Sequence, residues 1–268
     1  MDNNSTTTLP FYQVDAFTSQ PFGGNPAGVC PLTEWPEDHV LQAIAIENNL
    51  SETAFFVPIE GGFHLRWFTP GVEVDLCGHA TLATSWVLFN LLDYPGKTLR
   101  FTTRSGLLTV TRDGDELCMD FPTKPLYPIS EPQGLLDALG ITEGVEGFWL
   151  SDDIVVLVND KAIIEKLSPD FSLLKHFKAR GVIVTAADNE FDFVSRWFGP
   201  QVGVNEDPVT GSAHTWLAPF WAQRLGKTSL LAQQGGARKG TLRCVLGDEG
   251  RVSLYGKARL MISGQFYL

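Results

Sequence analysis

Residues 79–92 carry apolar side chains on every side of a helical wheel (Leu82, Trp86, Val87, Leu88, Phe89, Leu91 and Leu92), and residues 212–225 do the same with Trp216, Leu217, Phe220, Trp221 and Leu225. A helix that is apolar all round is buried, so each segment predicts a central helix. Pro219 lacks the N–H that would bond back to residue 215 and predicts a kink in the second. Pro36 to Asn49 predicts an amphipathic helix, because Pro36 suits a first turn and Val40, Leu41, Ile44 and Ala45 form one stripe. Short alternating runs predict strands near 10–17, 53–58, 63–69, 99–103, 107–112 and 116–121. A second set lies near 154–158, 182–186, 191–198, 240–246, 251–257 and 262–267. Together these give an α+β fold, with mostly antiparallel sheets wrapped around one central buried helix in each half.

The two halves repeat. Phe68-Thr69-Pro70-Gly71-Val72-Glu73-Val74 and Phe198-Gly199-Pro200-Gln201-Val202-Gly203-Val204 share the pattern F-x-P-x-V-x-V. A small-residue cluster follows each, Cys77-Gly78-His79-Ala80-Thr81 in the first and, after three extra residues, Thr210-Gly211-Ser212-Ala213-His214 in the second. Gly106 opens a hairpin 29 residues after Cys77, and Gly240 opens another 30 residues after Thr210. Asp113-Gly114 marks the turn of the first, and the longer span from Gly247 to Gly250 that of the second. The repeat predicts two pseudo-symmetric domains, 8–124 and 125–260, parted near the Pro-rich stretch from Pro122 to Pro132. A last strand, 261–268, is a candidate to return to the first domain, and the active site is expected in the cleft between them.

Composition narrows the function. The 268 residues include 20 Lys and Arg against 31 Asp and Glu, a net charge of −11, which argues against a nucleic-acid partner. With 44% hydrophobic residues the chain can bury a large core. No basic segment followed by an apolar run opens the sequence, and no apolar run reaches membrane-spanning length, so neither secretion nor a membrane partner is expected. The four cysteines, Cys30, Cys77, Cys118 and Cys244, lack C-x-x-C spacing, which points to a reducing, cytoplasmic setting without disulfides. His39, His64, His79, His176 and His214 are scattered without a metal-binding spacing, and no glycine fingerprint follows a strand, so neither a metal nor a nucleotide cofactor is expected.

The chemistry gathers at the repeated clusters. A glycine at the mouth of a buried helix exposes backbone N–H groups at the positive end of the helix dipole, where an anion binds. Gly78 and Gly211 mark two such mouths, and across a pseudo-twofold they would hold one carboxylate of a small anionic substrate. Simple capping of the helices by Asp75 and Ser212 is the alternative. Glu52, set between a helix end and the apolar run from Ala54 to Val57, has the surroundings that raise a carboxyl pKa and suit it to proton transfer. The alternative is a solvated loop glutamate. His79 beside Gly78 and Asp207 before Pro208 are the other titratable candidates, against ordinary roles as helix-end and turn residues.

Val14-Asp15-Ala16-Phe17, Phe22-Gly23-Gly24-Asn25-Pro26-Ala27-Gly28-Val29, Asn49-Leu50-Ser51-Glu52-Thr53-Ala54-Phe55, Asp75-Leu76-Cys77-Gly78-His79-Ala80-Thr81 and the run from Gly203 to His214 together resemble the phenazine biosynthesis PhzF family, in order and over nearly the whole chain. The resemblance implies a diaminopimelate-epimerase-like fold with the site between two similar domains. It implies a cofactor-independent isomerase acting on a compound like trans-2,3-dihydro-3-hydroxyanthranilate, with Glu52 as the acid/base. His79, Asp207 and Ser212 would bind and orient substrate, Gly78 and Gly211 would supply backbone donors, and the protein would be a homodimer. Related epimerases use a cysteine at each helix mouth; here Cys77 stands at the first and Thr210 at the second. A hydroxyl is a poor proton acceptor beside a thiol of pKa about 8.5, so symmetric two-thiol chemistry is disfavoured. Two further readings stay open: an epimerase pairing Cys77 with Glu52 or Asp207, and a binding module that keeps the site without catalysis.

Overall fold

The computed structural model describes residues 8–268. They fall into two compact units, one running to Met119 and taking back Gly256–Leu268, the other Asp120–Tyr255. The first division lies shortly before the Pro-rich stretch.

The first unit begins with β1 (Thr8–Ala16) and β2 (Asn25–Pro31), followed by α1 (Asp38–Asn48), β3 (Glu52–Ile59), β4 (Gly62–Phe68) and the short β5 (Glu73–Val74). The central helix α2 (Gly78–Asn90) leads into β6 (Thr98–Thr103), β7 (Gly106–Asp113) and β8 (Glu116–Pro122). β1 pairs antiparallel with β2, β2 parallel with β3, and β3 antiparallel with β4. β4 then pairs antiparallel with β5 and parallel with β6, and β6 and β7 continue antiparallel. The final strand, Ala258–Tyr267, lies antiparallel to β1 from Thr8↔Tyr267 to Ala16↔Ala258. α2 is buried along nearly its whole length, including Leu82, Val87, Leu88 and Phe89. α1 buries Leu41, Ile44 and Ala45 in a separate cluster with Cys30, Phe55 and Phe68.

The second unit repeats this order. After β9 (Tyr127–Ile129) and α3 (Leu135–Leu139) come β10 (Val145–Leu150), β11 (Ile154–Val158), α4 (Lys161–Glu165), α5 (Phe171–Leu174), β12 (Val182–Ala187), β13 (Phe193–Gly199) and β14 (Val204–Asp207). A 3₁₀ turn (Gly211–Ala213) precedes the central helix α6 (His214–Leu225), and β15 (Ser229–Gln234), β16 (Gly240–Leu246) and β17 (Arg251–Gly256) follow. β10–β11 is antiparallel, β11–β12 parallel and β12–β13 antiparallel. β13 pairs antiparallel with β14 and parallel with β15, and the β15–β16–β17 run is antiparallel. The pairing scheme is that of the first unit, strand for strand, so the repeat seen in the sequence is a repeat of topology. In each unit the strand pairing is mixed, with two parallel pairings.

Several details differ from the sequence reading. The first hairpin pairs Asp113 with Glu116, so its two loop residues are Gly114 and Asp115, with Gly114 at φ +62°, where a glycine costs no Cβ strain. α6 starts at His214 because the backbone before it takes the tighter 3₁₀ turn, and Pro219 lies inside it. β2 was hidden by Pro26, Gly28 and Pro31, residues that read as turn formers. No helix among the described residues is long and apolar enough to cross a membrane.

Candidate active site

In the first unit, Asn49 adopts a left-handed conformation (φ +49°) that ends α1, and three residues later Glu52 opens β3 opposite Ala27 of β2. On the neighbouring segment Cys77 is extended (φ −144°) and caps α2, so Gly78 and His79 form its first turn. The two segments meet. His79 Nε2 lies 3.3 Å from Glu52 Oε2 and 3.2 Å from Ser51 Oγ, while its Nδ1 lies 3.5 Å from Cys77 Sγ. Whichever nitrogen carries the proton, the ring bridges the thiol on one side and the Ser51–Glu52 pair on the other. Cys77 is 6% and His79 5% exposed. Burial raises the Glu52 carboxyl above its ordinary range, and hydrogen bonds with Ser51 and Cys77 pull the opposite way without cancelling it. The first N–H groups of α2 have no partner within the helix and sit at its positive end.

In the second unit, Thr210 Oγ1 donates to Asp207 Oδ2 at 2.5 Å and accepts from Gln234 Nε2 at 3.0 Å, and the Thr210 N–H donates to Gln234 Oε1 at 3.0 Å. The Thr210 hydroxyl is thereby committed within the protein. Ser212 Oγ accepts from Arg180 NH1 at 2.8 Å, and Arg180 forks onto the fully buried Asp153 at 2.9 and 2.6 Å. Trp197 Nε1 donates to the same carboxylate at 2.9 Å. Burial works against the Arg180 charge, but hydrogen bonding and attraction from Asp153, with Asp152 and Asp207 adding, hold its pKa above the ordinary value.

The structure therefore brings Glu52, Cys77, Gly78 and His79 together at the mouth of α2, and places Asp207, Gly211 and Ser212 before α6 in the second unit. It does not support simple capping: neither α2 nor α6 has a side-chain cap, Asp75 is exposed, and Ser212 is turned to Arg180. Ser51, Arg180, Asp153 and Gln234 were not singled out by the sequence, although Ser51 lies in the run from Asn49 to Phe55. Ligand atoms of Glu52, Cys77 and His79 all lie within 4.8 Å of one another, close enough to hold a metal ion, which the spacing of histidines along the chain did not reveal. In the protein these atoms are engaged with one another.

The strand registers align the two sites residue by residue. Thr53 pairs with Phe68, and Val182 pairs with Phe198, the first residues of the repeated F-x-P pattern. Glu52 thus corresponds to Gly181, Ser51 to Arg180, Cys77 to Thr210 and His79 to Ser212. The Ser51–His79 contact in one unit and the Arg180–Ser212 contact in the other occupy the same two positions.

Comparison with known proteins extends these observations. The family model of phenazine biosynthesis-like proteins, PhzC-PhzF, matches residues 14–264. A Pseudomonas aeruginosa protein described as an uncharacterized isomerase is 62% identical over 260 residues, spanning 97% of this chain and 99% of that protein. The crystal structure of a PhzF family protein from Enterococcus faecalis superposes with a TM-score of 0.94 at 46% identity, covering 98% of this chain and 100% of the other. A Pseudomonas aeruginosa structure described as a predicted epimerase shares the fold, with a TM-score of 0.75 at 20% identity over 97% of this chain and 99% of the other.

Proposed function

The chain belongs to the phenazine biosynthesis-like (PhzC-PhzF) family, and from that premise we propose that it is an isomerase that moves a proton between carbon atoms of a small carboxylate-bearing substrate, with Glu52 as the acid/base. The observation that carries this reading is the placing of the Glu52 carboxyl at the mouth of α2, only 17% exposed and 3.3 Å from His79, where burial raises its pKa against the hydrogen bonds of Ser51 and Cys77. A carboxyl in that state gives up and regains a proton nearer to neutral pH than a solvated one. As base, Glu52 removes a proton from carbon; as acid, it returns the proton at another carbon. The N–H groups at Gly78 and His79 stabilise negative charge that develops on the substrate carboxylate during the transfer. His79 fixes the carboxyl and lines the site beside it, and Gly211, Ser212 and Asp207 are assigned to polar groups of the substrate. The reaction so written needs no cofactor. A substrate of the trans-2,3-dihydro-3-hydroxyanthranilate type fits this chemistry, and the reading carries with it a cytoplasmic homodimer, which sedimentation tests.

A second reading, epimerisation at an amino-acid α-carbon, is favoured by one feature, the Cys77 thiol at 3.5 Å from His79 Nδ1 and hydrogen-bonded with Glu52. Proton NMR in deuterated buffer separates the two, with trans-2,3-dihydro-3-hydroxyanthranilate and a panel of amino acids as substrates. The expected result is deuterium entering the dihydro compound as it is isomerised, slowed at least about 100-fold by Glu52→Gln. A folded Glu52→Gln protein with full turnover refutes the assignment, and exchange confined to an amino-acid α-carbon favours epimerisation.

A further inference from the structure

The second unit holds a charged group that the proposed chemistry does not use. Arg180 is tied on three sides: its Nε and NH2 fork onto Asp153 at 2.9 and 2.6 Å, its face lies 5.5 Å from the Trp197 ring and 5.3 Å from the Trp216 ring, and its NH1 donates to Ser212 Oγ at 2.8 Å. Asp153 is wholly buried and also accepts from Trp197, so the guanidinium cannot swing away without stranding a carboxylate. Its side chain still keeps 33% of its surface exposed.

The consequence falls on the serine. A hydroxyl offers one hydrogen and two lone pairs. Arg180 occupies a lone pair of Ser212, and among the described residues no acceptor takes its hydrogen. Thr210, two residues earlier, is the contrast, because its hydrogen is spent on Asp207. Ser212 therefore keeps its hydrogen and one lone pair, and because a guanidinium already donates to its oxygen the hydroxyl is polarised as a donor, which favours an acceptor, best an anionic one, in a ligand facing it.

We propose that Arg180 is a positioning residue that makes Ser212 a carboxylate-selective donor, holding its oxygen so that the hydroxyl hydrogen points to a ligand carboxylate. This deepens the proposed function and rests on its placing of Ser212 at the substrate. The register of the repeat supports it independently: Arg180 and Ser212 stand where Ser51 and His79 stand in the first unit, the contact that orients the Glu52 site.

The test uses the full-length protein and two probes of one shape, anthranilate and its uncharged amide, anthranilamide, with binding measured calorimetrically. Ser212→Ala and Arg180→Lys are each expected to weaken anthranilate about tenfold, and anthranilamide less than about twofold. Arg180→Lys on top of Ser212→Ala should add nothing, because the arginine acts through the serine. Should Arg180→Lys fail to fold for want of a partner to Asp153, the paired Arg180→Gln, Asp153→Asn variant removes both charges and is read in the same way. Unchanged anthranilate binding in a folded Arg180 variant, equal losses for both probes, additive losses in the double variant, or a wild type that binds neither probe would each overturn the proposal. Full turnover by Glu52→Gln refutes the acid/base reading alone and leaves these selectivities untouched.

Discussion

The two central helices begin on the same pattern of residues, in sheets of the same pairing, yet their mouths are in opposite electrostatic states. At α2 the Glu52 carboxyl faces the Ser51 hydroxyl, the Cys77 thiol and the His79 imidazole rather than a guanidinium or an ammonium, and burial raises its pKa. Before α6 the Arg180 guanidinium is forked onto the buried Asp153 carboxylate, which Trp197 also holds. The position of Glu52 is filled by Gly181 in the second unit, where a Cβ would come within 2.5 Å of the Trp197 ring. One bond is conserved in geometry with different chemistry: Thr81 Oγ1 donates to the Cys77 carbonyl at 2.6 Å, and His214 Nδ1 bonds the Thr210 carbonyl at 3.0 Å. A duplicated scaffold thus carries one reactive cluster and one settled cluster, because a few side chains at equivalent positions decide whether a buried charge is paired. A charge held by a permanent counter-charge resists titration and suits binding; a carboxyl facing only neutral or titratable groups suits proton transfer.

That comparison can be broken at three points. The largest effect is expected at His214, which burial holds down to a pKa of about 4. Its neutral form is favoured in the folded state, so this contribution to stability is complete above the unfolded value of about 6.5 and is lost as the pH falls toward 4, by roughly 3 kcal/mol. Urea unfolding across this range should show the loss in the wild type and not in His214→Thr, which restores the residue of the first unit. An identical acid slope in both proteins would assign the loss elsewhere. Next, Gly181→Ala should destabilise the protein by about 2 kcal/mol by driving Trp197 off Asp153; a change within about 0.5 kcal/mol would mean that the second unit can accept a side chain at this position. The smallest effect is expected from Cys77→Ala. Loss of the thiol removes a hydrogen bond that lowers the Glu52 pKa, so the acidic limb of the pH–rate profile should move to higher pH, with turnover at the optimum reduced less than about tenfold. An unmoved limb would uncouple Cys77 from Glu52, and abolished turnover would favour the epimerase reading.

Most of the scaffold was legible because its signals are local. The all-round apolar runs gave α2 and α6, alternation gave most of the strands, and the F-x-P-x-V-x-V repeat gave the duplication that the strand pairing displays. Short helices such as α4 and α5 left no such trace, since five and four residues are too few to show a period. Cys77 and His79 stand in the small-residue cluster ahead of α2 and Glu52 between a helix end and an apolar run, and each was legible on that ground. Arg180 and Asp153 were not, because their contacts with each other and with Ser212 span 27 and 32 residues and follow from the register of β11, β12 and β13. Gly181 carries its meaning only once Trp197 is seen against it.

The proposed chemistry turns on a glutamate whose proton is held more tightly than in water. Carbon-13 NMR titration of side-chain-labelled glutamate, with Glu52→Gln to assign the resonance, measures that property directly. The expected Glu52 midpoint lies above the ordinary glutamate value and moves further up in Cys77→Ala. A midpoint at or below the ordinary value would contradict it.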